Sequence, residues 1–125
     1  MTPALFVAMA MAGGLGAGAR FLLDGAIRSR TNGGLPLGTI VINVSGSFAL
    51  GLLTGAIAVS TLPSGWAIVV GTGFLGGYTT FSTASFETVR LLQDRKLGAA
   101  AINGVGVLVA AALAAGLGLW LGSLA

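Results

Sequence analysis

Residues 71–87 read GTGFLGGYTTFSTASFE, and this segment is the most informative part of the chain. It ends a long uncharged part of the sequence, yet its composition is poor for a helix. The adjacent glycines Gly76 and Gly77 each weaken a helix interior by about 1 kcal/mol relative to alanine, and the threonines that follow add a smaller penalty. A helix that breaks inside a bilayer exposes backbone groups that lipid cannot satisfy, so such breaks persist only where protein, water or an ion meets them. The segment therefore predicts a site and not only a membrane anchor.

The composition indicates an integral membrane protein. Of the 125 residues, 55% are hydrophobic and 7% are charged, and the mean hydropathy is +0.99. Soluble domains carry about 25% charged residues. No charged side chain occurs from Thr31 to Phe86 or after Lys96. The first apolar segment lacks a basic leader and is longer than a signal peptide's apolar core, so we expect no cleaved signal.

Two missing residue types exclude most enzymatic chemistry. The chain has no cysteine and no histidine, which excludes disulfides, thiolate metal sites and the usual general base. No nucleophile stands with a base in a pattern typical of catalysis. We therefore expect a protein that is not an enzyme.

Four segments are long and apolar enough to cross a bilayer as helices, which takes about 20 residues each. Short loops join them and force an antiparallel bundle, so residues 1–125 form a single transmembrane domain. The sequence thus predicts an all-α membrane protein with four transmembrane helices, the third broken mid-membrane. The predicted spans are Ala4 to Ile27, Leu37 to Val59, Trp66 to Leu92 and Leu97 to Leu121.

Basic residues indicate the orientation of the chain. The first and third loops contain Arg28, Arg30, Arg95 and Lys96, whereas the second loop and the termini carry no lysine or arginine. The positive-inside rule places both basic loops in the cytoplasm and both termini outside. The same topology accounts for the isoelectric point near 10.8, so we expect no nucleic-acid partner. We expect a multi-pass protein of the inner (plasma) membrane, with the lipid bilayer as its environment.

Two polar residues within the spans admit more than one interpretation. Asn43 stands in the middle of the second span, where an amide needs hydrogen-bond partners. It either joins helices or donates into a pore. Arg20 near the end of the first span either reaches an interface, pairs with Asp24 one turn later, or attracts anions at a vestibule.

The third span has the chemistry of an ion path. An aromatic ring has a positive edge that can face an anion, and Phe81 could supply one beside the hydroxyls of Ser82 and Thr83. A helix that restarts after Thr80 would point its positive end inward. Carbonyls freed between Gly76 and Thr79 would suit a hard cation such as sodium.

Three motifs resemble those of a known family. The segments GGLGAGARF at 13–21, LGTIVINVSGSFALG at 37–51 and GTGFLGGYTTFST at 71–83 are similar, in order and spacing, to the motifs of the Fluc (CrcB) family of fluoride channels. These are small four-span proteins that work as dimers. The resemblance covers nearly the whole chain, and the three motifs together make it specific.

The resemblance implies a passive, fluoride-specific channel. Two subunits of opposite orientation, an antiparallel (inverted) dimer with dual topology, would form two pores at their interface. A central structural sodium ion would be held by the carbonyls of Gly76 and Thr79. The resemblance implies an anion pore with Asn43, Phe81, Ser82 and Thr83 in or near it. It matches Arg20 to the arginine of the first motif, whose role stays open, and Glu87 to an acidic residue after the third. From their chemistry, both are candidates for a vestibule or pore mouth.

One position departs from the family pattern. The family commonly reads TTFSTF, with a second pore phenylalanine, where this chain has Ala84. Phe86 lies about 200° further around a helix and cannot simply replace it. All loop cations also lie on one side, whereas an identical inverted pair requires insertion both ways. We therefore keep two hypotheses, a homodimer and a heterodimer with an inverted homologous subunit.

Two other functions fit four short spans. A small multidrug exporter needs a carboxylate deep in the membrane to exchange proton and substrate, but Asp24 and Glu87 lie near span ends. A non-conducting partner subunit of a heterodimeric fluoride channel would explain Ala84 and the apolar fourth span. Fluoride efflux from liposomes would separate these hypotheses from a self-sufficient channel.

Overall fold

The computed structural model describes residues 2–31, 34–59, 63–65 and 67–124, and all its regular elements there are helices. Helix α1 begins after Thr2, whose hydroxyl accepts a hydrogen bond from the Leu5 N–H at 3.1 Å. The predicted turn residues Asn32 and Gly33, the first half of the second loop (residues 60–62) and the predicted start at Trp66 lie outside the described residues. The helices are α1 (Pro3–Arg28), α2 (Leu37–Ala58), α3 (residues 67–78), α4 (Ser82–Gln93) and α5 (Leu97–Ser123).

The third predicted span consists of two helices with a non-helical connection. Helix α3 is π-helical over Ala67–Leu75 and α-helical over Gly76–Tyr78. Thr79 then has an extended backbone, with φ −81° and ψ 159°, and α4 begins at Ser82. The double glycine therefore belongs to the last turn of α3, and the chain leaves the helix after it. Because the β-branched threonines follow at once, helix propensity falls where the helix ends.

Helices α2 and α5 pack along two glycine pairs that face each other. A Cβ atom added at Gly51 or Gly55 would overlap backbone atoms of α5, and one added at Gly118 or Gly122 would overlap backbone atoms of α2. Small residues four apart allow such close approach in membrane helices. These predicted packing pairs therefore pack against one another. Gly14 and the equally spaced Gly18, in contrast, have no described atom of the chain within 4 Å of an added Cβ.

Helix α3 packs on α1 by the same means. A Cβ on Gly16 would overlap the Phe74 carbonyl, and one on Gly77 would overlap the Gly13 carbonyl. Gly77 therefore has a packing role besides ending the helix. These contacts hold the last turn of α3, and so the start of the interruption, at a fixed position against α1.

Apolar side chains lie mainly on the outside of the molecule. Phe21 is 77% exposed and Leu113 70% exposed, whereas Ile42 is 1% exposed. Lipid tails solvate such an exterior, so the hydrophobic effect does not drive these side chains inward. Three described helices are long and apolar enough to cross a membrane, namely Pro3–Arg28, Leu37–Ala58 and Leu97–Ser123. The chain is an all-helical, multi-pass membrane protein.

The end of α4 contains a strained residue. Arg95 has φ 58°, and its N–H donates to Leu92 O at 3.1 Å while the next N–H, of Lys96, donates to Leu91 O at 2.9 Å. This is a Schellman cap, whose left-handed position normally holds glycine. Arginine there carries the strain of a Cβ atom.

Arg95→Gly is therefore expected to raise the free energy of unfolding by about 1 kcal/mol, because glycine adopts this conformation without the Cβ penalty. Denaturant unfolding of the purified protein in detergent measures it. Arg95→Ala is the matched control, since it removes the same charge and keeps the Cβ. An equal gain in both variants would assign the effect to charge and contradict the strain.

Candidate groove at the helix interruption

A surface groove of about 830 Å³ runs along the interruption between α3 and α4. It lies among α2, the two half-helices and α5. No aspartate or glutamate of the described residues lines it, so its polarity comes from hydroxyls, amides and backbone groups. The polar residues that line it are Asn43, Ser47, Thr72, Thr79, Thr80, Ser85, Thr88 and Asn103.

Asn43 stabilises the interruption through both polar atoms of its side-chain amide, Nδ2 and Oδ1. Its Nδ2 donates to Thr80 O at 2.8 Å, and its Oδ1 accepts from the Thr80 N–H at 2.9 Å. Thr80 lies outside the helices and so lacks the usual partners four residues away. The side-chain amide therefore replaces the hydrogen bonds that the broken helix loses. One Nδ2 hydrogen remains beyond this pair, because the amide nitrogen carries two.

Thr80 in turn caps the start of α4. Its hydroxyl accepts a hydrogen bond from the Thr83 N–H at 3.2 Å and donates to the Thr83 hydroxyl at 3.1 Å. The first intrahelical backbone bond of α4 runs from Ser85 N–H to Phe81 O at 2.9 Å. The remaining first-turn N–H groups have no partner within the helix, and with the helix dipole they make this end positive.

The predicted pore residues divide into two groups. Asn43 and Phe81 line the groove, and the Phe81 ring is largely uncovered, with 86% of the residue exposed. Ser82 and Thr83 do not line it, because residues one and two positions after Phe81 point to other faces of a helix. Their role in an anion path stays a prediction.

Gly76 and Thr79, the predicted cation ligands, both line the groove. Neither carbonyl accepts a backbone hydrogen bond in the described part of the chain, since α3 ends at Tyr78. The Thr79 hydroxyl donates back to Leu75 O at 2.9 Å. Two free carbonyl oxygens are suitable donors for a hard cation, though fewer than the roughly six that such ions usually take.

A buried amide lies beside Ala84. Asn103 is 4% exposed, and its Nδ2 lies 2.8 Å from the Thr88 hydroxyl and 3.3 Å from Ala84 O, both of which accept. The Thr88 hydroxyl donates to the same carbonyl at 2.8 Å. The donors of Asn103 and Thr88 are thus taken up by the protein, so this cluster ties α5 to α4 where the family motif has a second phenylalanine.

Three hydroxyls in the groove remain without a described partner. Ser47, Thr72 and Ser85 line the groove and make no side-chain hydrogen bond within the described ranges. None of the three is among the pore residues predicted from the sequence. A signal was present, because Ser47 is four residues after Asn43 and Ser85 is four after Phe81, one helical turn in each case.

The two predicted vestibule residues have separate surroundings, and neither lines the groove. Arg20 makes a long hydrogen bond from Nε to Gly77 O at 3.5 Å, and Asp24 pairs instead with Arg28 at 2.8 Å. Glu87 is 14% exposed in its side chain and pairs with the same Arg28 at 3.0 Å. One guanidinium therefore joins the end of α1 to α4.

The family model described as CrcB-like protein, Camphor Resistance (CrcB), matches residues 7–119. The chain belongs to the CrcB family. This membership accounts for the three motifs, and the third of them contains the helix interruption and part of the groove. The match leaves out only six residues at each end of the chain, so relatives can be compared with it over almost its whole length.

Several relatives carry functional names. A protein of Leifsonia xyli subsp. xyli named fluoride-specific ion channel FluC 1 is 58% identical over 125 residues, which cover 100% of this chain and 91% of that protein. A fluoride-specific ion channel FluC 2 of Cutibacterium acnes is 52% identical, over 90% of this chain and 93% of its own. Another FluC 2, of Mycobacterium tuberculosis, is 40% identical, over 97% and 93%.

Proposed function

We propose that this chain is a subunit of a passive, fluoride-specific ion channel. The observation that carries the proposal is the groove at the helix interruption, where Asn43 and Phe81 meet unpaired hydroxyls without any described carboxylate. Membership of the CrcB family supports it, since similar relatives are named fluoride-specific ion channels.

The groove offers an anion the contacts that replace water. Fluoride is small and strongly hydrated, so a pore must supply donors as it removes the hydration shell. The Ser47, Thr72 and Ser85 hydroxyls are available, as is the second amide hydrogen of Asn43. The Phe81 edge and the positive start of α4 add weak attraction without a fixed charge that would trap the ion.

The pore is proposed to form at the interface of two inverted subunits. The groove is open along one side, and Phe81 is 86% exposed, so one chain encloses only part of a path. The free carbonyls of Gly76 and Thr79 would bind a structural sodium ion, and an inverted second subunit would double their number to four. The ion would supply only a fixed positive charge at the centre of the assembly.

The partner is either a second copy or an inverted homologue. Ala84 leaves the groove without a second ring. Arg28 at the start of the first loop and Lys96 in the third line a common pocket, so these two loop cations share one end of the bundle. Both observations favour a fixed orientation and a homologous partner. A multidrug exporter is disfavoured, because Asp24 and Glu87 are paired with Arg28 away from the groove.

Fluoride efflux from liposomes tests the proposal. The chain is purified alone and also co-expressed with an inverted homologue, reconstituted, and followed with fluoride and chloride electrodes. We expect fluoride efflux without chloride efflux from at least one preparation. Activity of the chain alone would establish a homodimer, activity only with the homologue a heterodimer, and silence of both folded preparations would overturn the channel proposal.

A further inference from the structure

Helix α2 contacts the interruption at two successive residues. Both backbone polar groups of Thr80 bond to the Asn43 amide, and the preceding residue, Thr79, packs its methyl group on the buried Gly46. Asn43 and Gly46 are three positions apart and therefore share one face of α2. A Cβ atom added at Gly46 would overlap the Thr79 methyl and lie 3.2 Å from Cδ2 of the Tyr78 ring. This face of α2 thus has no room for a side chain at Gly46.

The Thr79 side chain is held in place by its hydroxyl. That hydroxyl donates to Leu75 O at 2.9 Å, and the Thr79 N–H donates to the same oxygen at 2.9 Å. Threonine carries its hydroxyl and its methyl on one Cβ atom, so a single χ1 angle fixes the positions of both. Turning the methyl away from Gly46 would therefore break the hydroxyl bond to Leu75 O, unless the backbone of Thr79 moved instead.

The direction of the Thr79 carbonyl depends on both contacts with α2. The Thr79 C=O and the Thr80 N–H belong to one planar trans peptide group, in which they point in opposite directions. Because the Thr80 N–H donates to Asn43 Oδ1 at 2.9 Å, the Thr79 carbonyl points away from that oxygen. Thr79 lines the groove, and its carbonyl accepts no backbone hydrogen bond in the described part of the chain. The carbonyl oxygen is therefore held in one direction and is open to a ligand.

We propose that Gly46 is a positioning residue for cation binding at the helix interruption. Its missing side chain lets Thr79 keep the hydroxyl bond to Leu75, and together with Asn43 it fixes the position of the Thr79 carbonyl oxygen. A binding site needs its ligand atoms held within about 0.5 Å of the productive geometry, and a site with few protein oxygens depends on each of them. The inference rests on the proposed function, because Thr79 O is one of the oxygens proposed there to bind sodium.

Gly46→Ala tests this role through sodium-dependent stability. The full chain is purified in the dimer that it forms, and its thermal unfolding is followed in sodium chloride and, at equal ionic strength, in choline chloride. Sodium should raise the unfolding temperature of the wild type, because an ion that binds the native state stabilises it. Gly46→Ala should require about tenfold more sodium or above for the same rise, since one displaced oxygen is equivalent to a lost hydrogen bond to a charged group. The higher helix propensity of alanine acts equally in both salts and leaves this requirement unchanged.

The substitution Thr79→Ser supplies the rescue. Serine keeps the hydroxyl and removes the methyl, so it makes room for a Cβ at position 46. Thr79→Ser alone sets the reference, and Gly46→Ala with Thr79→Ser should return the sodium requirement to within about twofold of that reference. Gly116→Ala is the matched control, because no described atom lies within 4 Å of its added Cβ. It should change the sodium requirement by less than about twofold.

Other results would overturn the role of Gly46. An unchanged sodium requirement in Gly46→Ala would show that the Thr79 methyl moves without disturbing the carbonyl. A loss that Thr79→Ser does not reverse in a folded protein would assign the effect to another contact, such as the Tyr78 ring. If Gly46→Ala does not fold, the double variant must fold and bind sodium, and its failure contradicts the proposal.

The sodium readout keeps this inference separate from the channel proposal. A wild type whose unfolding temperature is the same in both salts would remove the cation site and this inference with it. Liposomes without fluoride efflux, from protein that sodium stabilises as expected, would overturn the channel and leave the role of Gly46 intact.

Discussion

Asn43→Asp is expected to abolish fluoride flux, with a loss of about 100-fold or more. Aspartate removes the donor to Thr80 O and places a carboxylate oxygen against that carbonyl, which lies 2.8 Å from Nδ2 in the native chain. It also adds a negative charge to the groove. Two like charges 4 Å apart repel by about 4 kcal/mol at an effective dielectric constant near 20, and about 1.4 kcal/mol in a barrier corresponds to a tenfold change in rate.

Two further variants separate charge from architecture. Asn43→Leu removes the amide pair with Thr80 and adds no charge, so it should also lower flux if the interruption depends on that pair. Ser45→Asp adds the same charge two residues away, where the hydroxyl meets the Tyr78 hydroxyl at 3.0 Å and does not line the groove. Flux through folded Ser45→Asp should persist. Undiminished flux through Asn43→Asp would remove Asn43 from the anion path.

Gly118→Val is expected to have the largest effect on folding. Its side chain would overlap the Phe48 carbonyl and meet the Leu52 nitrogen of α2, and neither backbone can move without separating the α2–α5 pair. Overpacking of this kind costs about 1–3 kcal/mol, and contact with backbone puts this substitution at the upper limit. Thermal unfolding in detergent, followed by size-exclusion chromatography, measures the loss.

Gly116→Val is the matched control for that experiment. Gly116 lies on the same helix two residues earlier, and no described atom lies within 4 Å of an added Cβ. Both substitutions replace glycine by valine in one helix, so they share the propensity and hydrophobicity changes. We expect Gly116→Val to change stability by less than about 0.5 kcal/mol. Equal destabilisation by the two variants would contradict the glycine-mediated packing of α2 on α5.

Much of the fold could be predicted because membrane spans depend on local composition. The predicted second span, Leu37 to Val59, corresponds to the helix Leu37–Ala58, and the first and fourth differ from their helices by one or two residues at an end. Glycine spacing located the α2–α5 contact but could not distinguish it from the Gly14 and Gly18 pair, which packs on nothing described. Spacing shows that a helix can be approached closely, not which helix approaches.

The groove residues were harder to predict than the spans. Asn43 was recognised as a buried amide that must find partners, but only the fold shows that Thr80 supplies both of them. Ser82 and Thr83 adjoin Phe81 in sequence and point elsewhere, whereas Ser85 lines the groove one turn later. The residue at which α4 begins fixes which of its side chains face the groove, and this explains the difference.

The membrane environment, the four apolar segments and the weakness of the helix after Gly77 follow from local sequence, since each depends on residues close together along the chain. Which polar groups remain free depends on how the helices pack. Pairing between helices consumes the donor group of Asn103 and joins Arg28 to Glu87, and it leaves Ser47, Thr72 and Ser85 without described partners. The residue type does not show whether a donor is already hydrogen-bonded to another helix or is open to an ion. That depends on whether the fold brings an acceptor within about 3 Å of it.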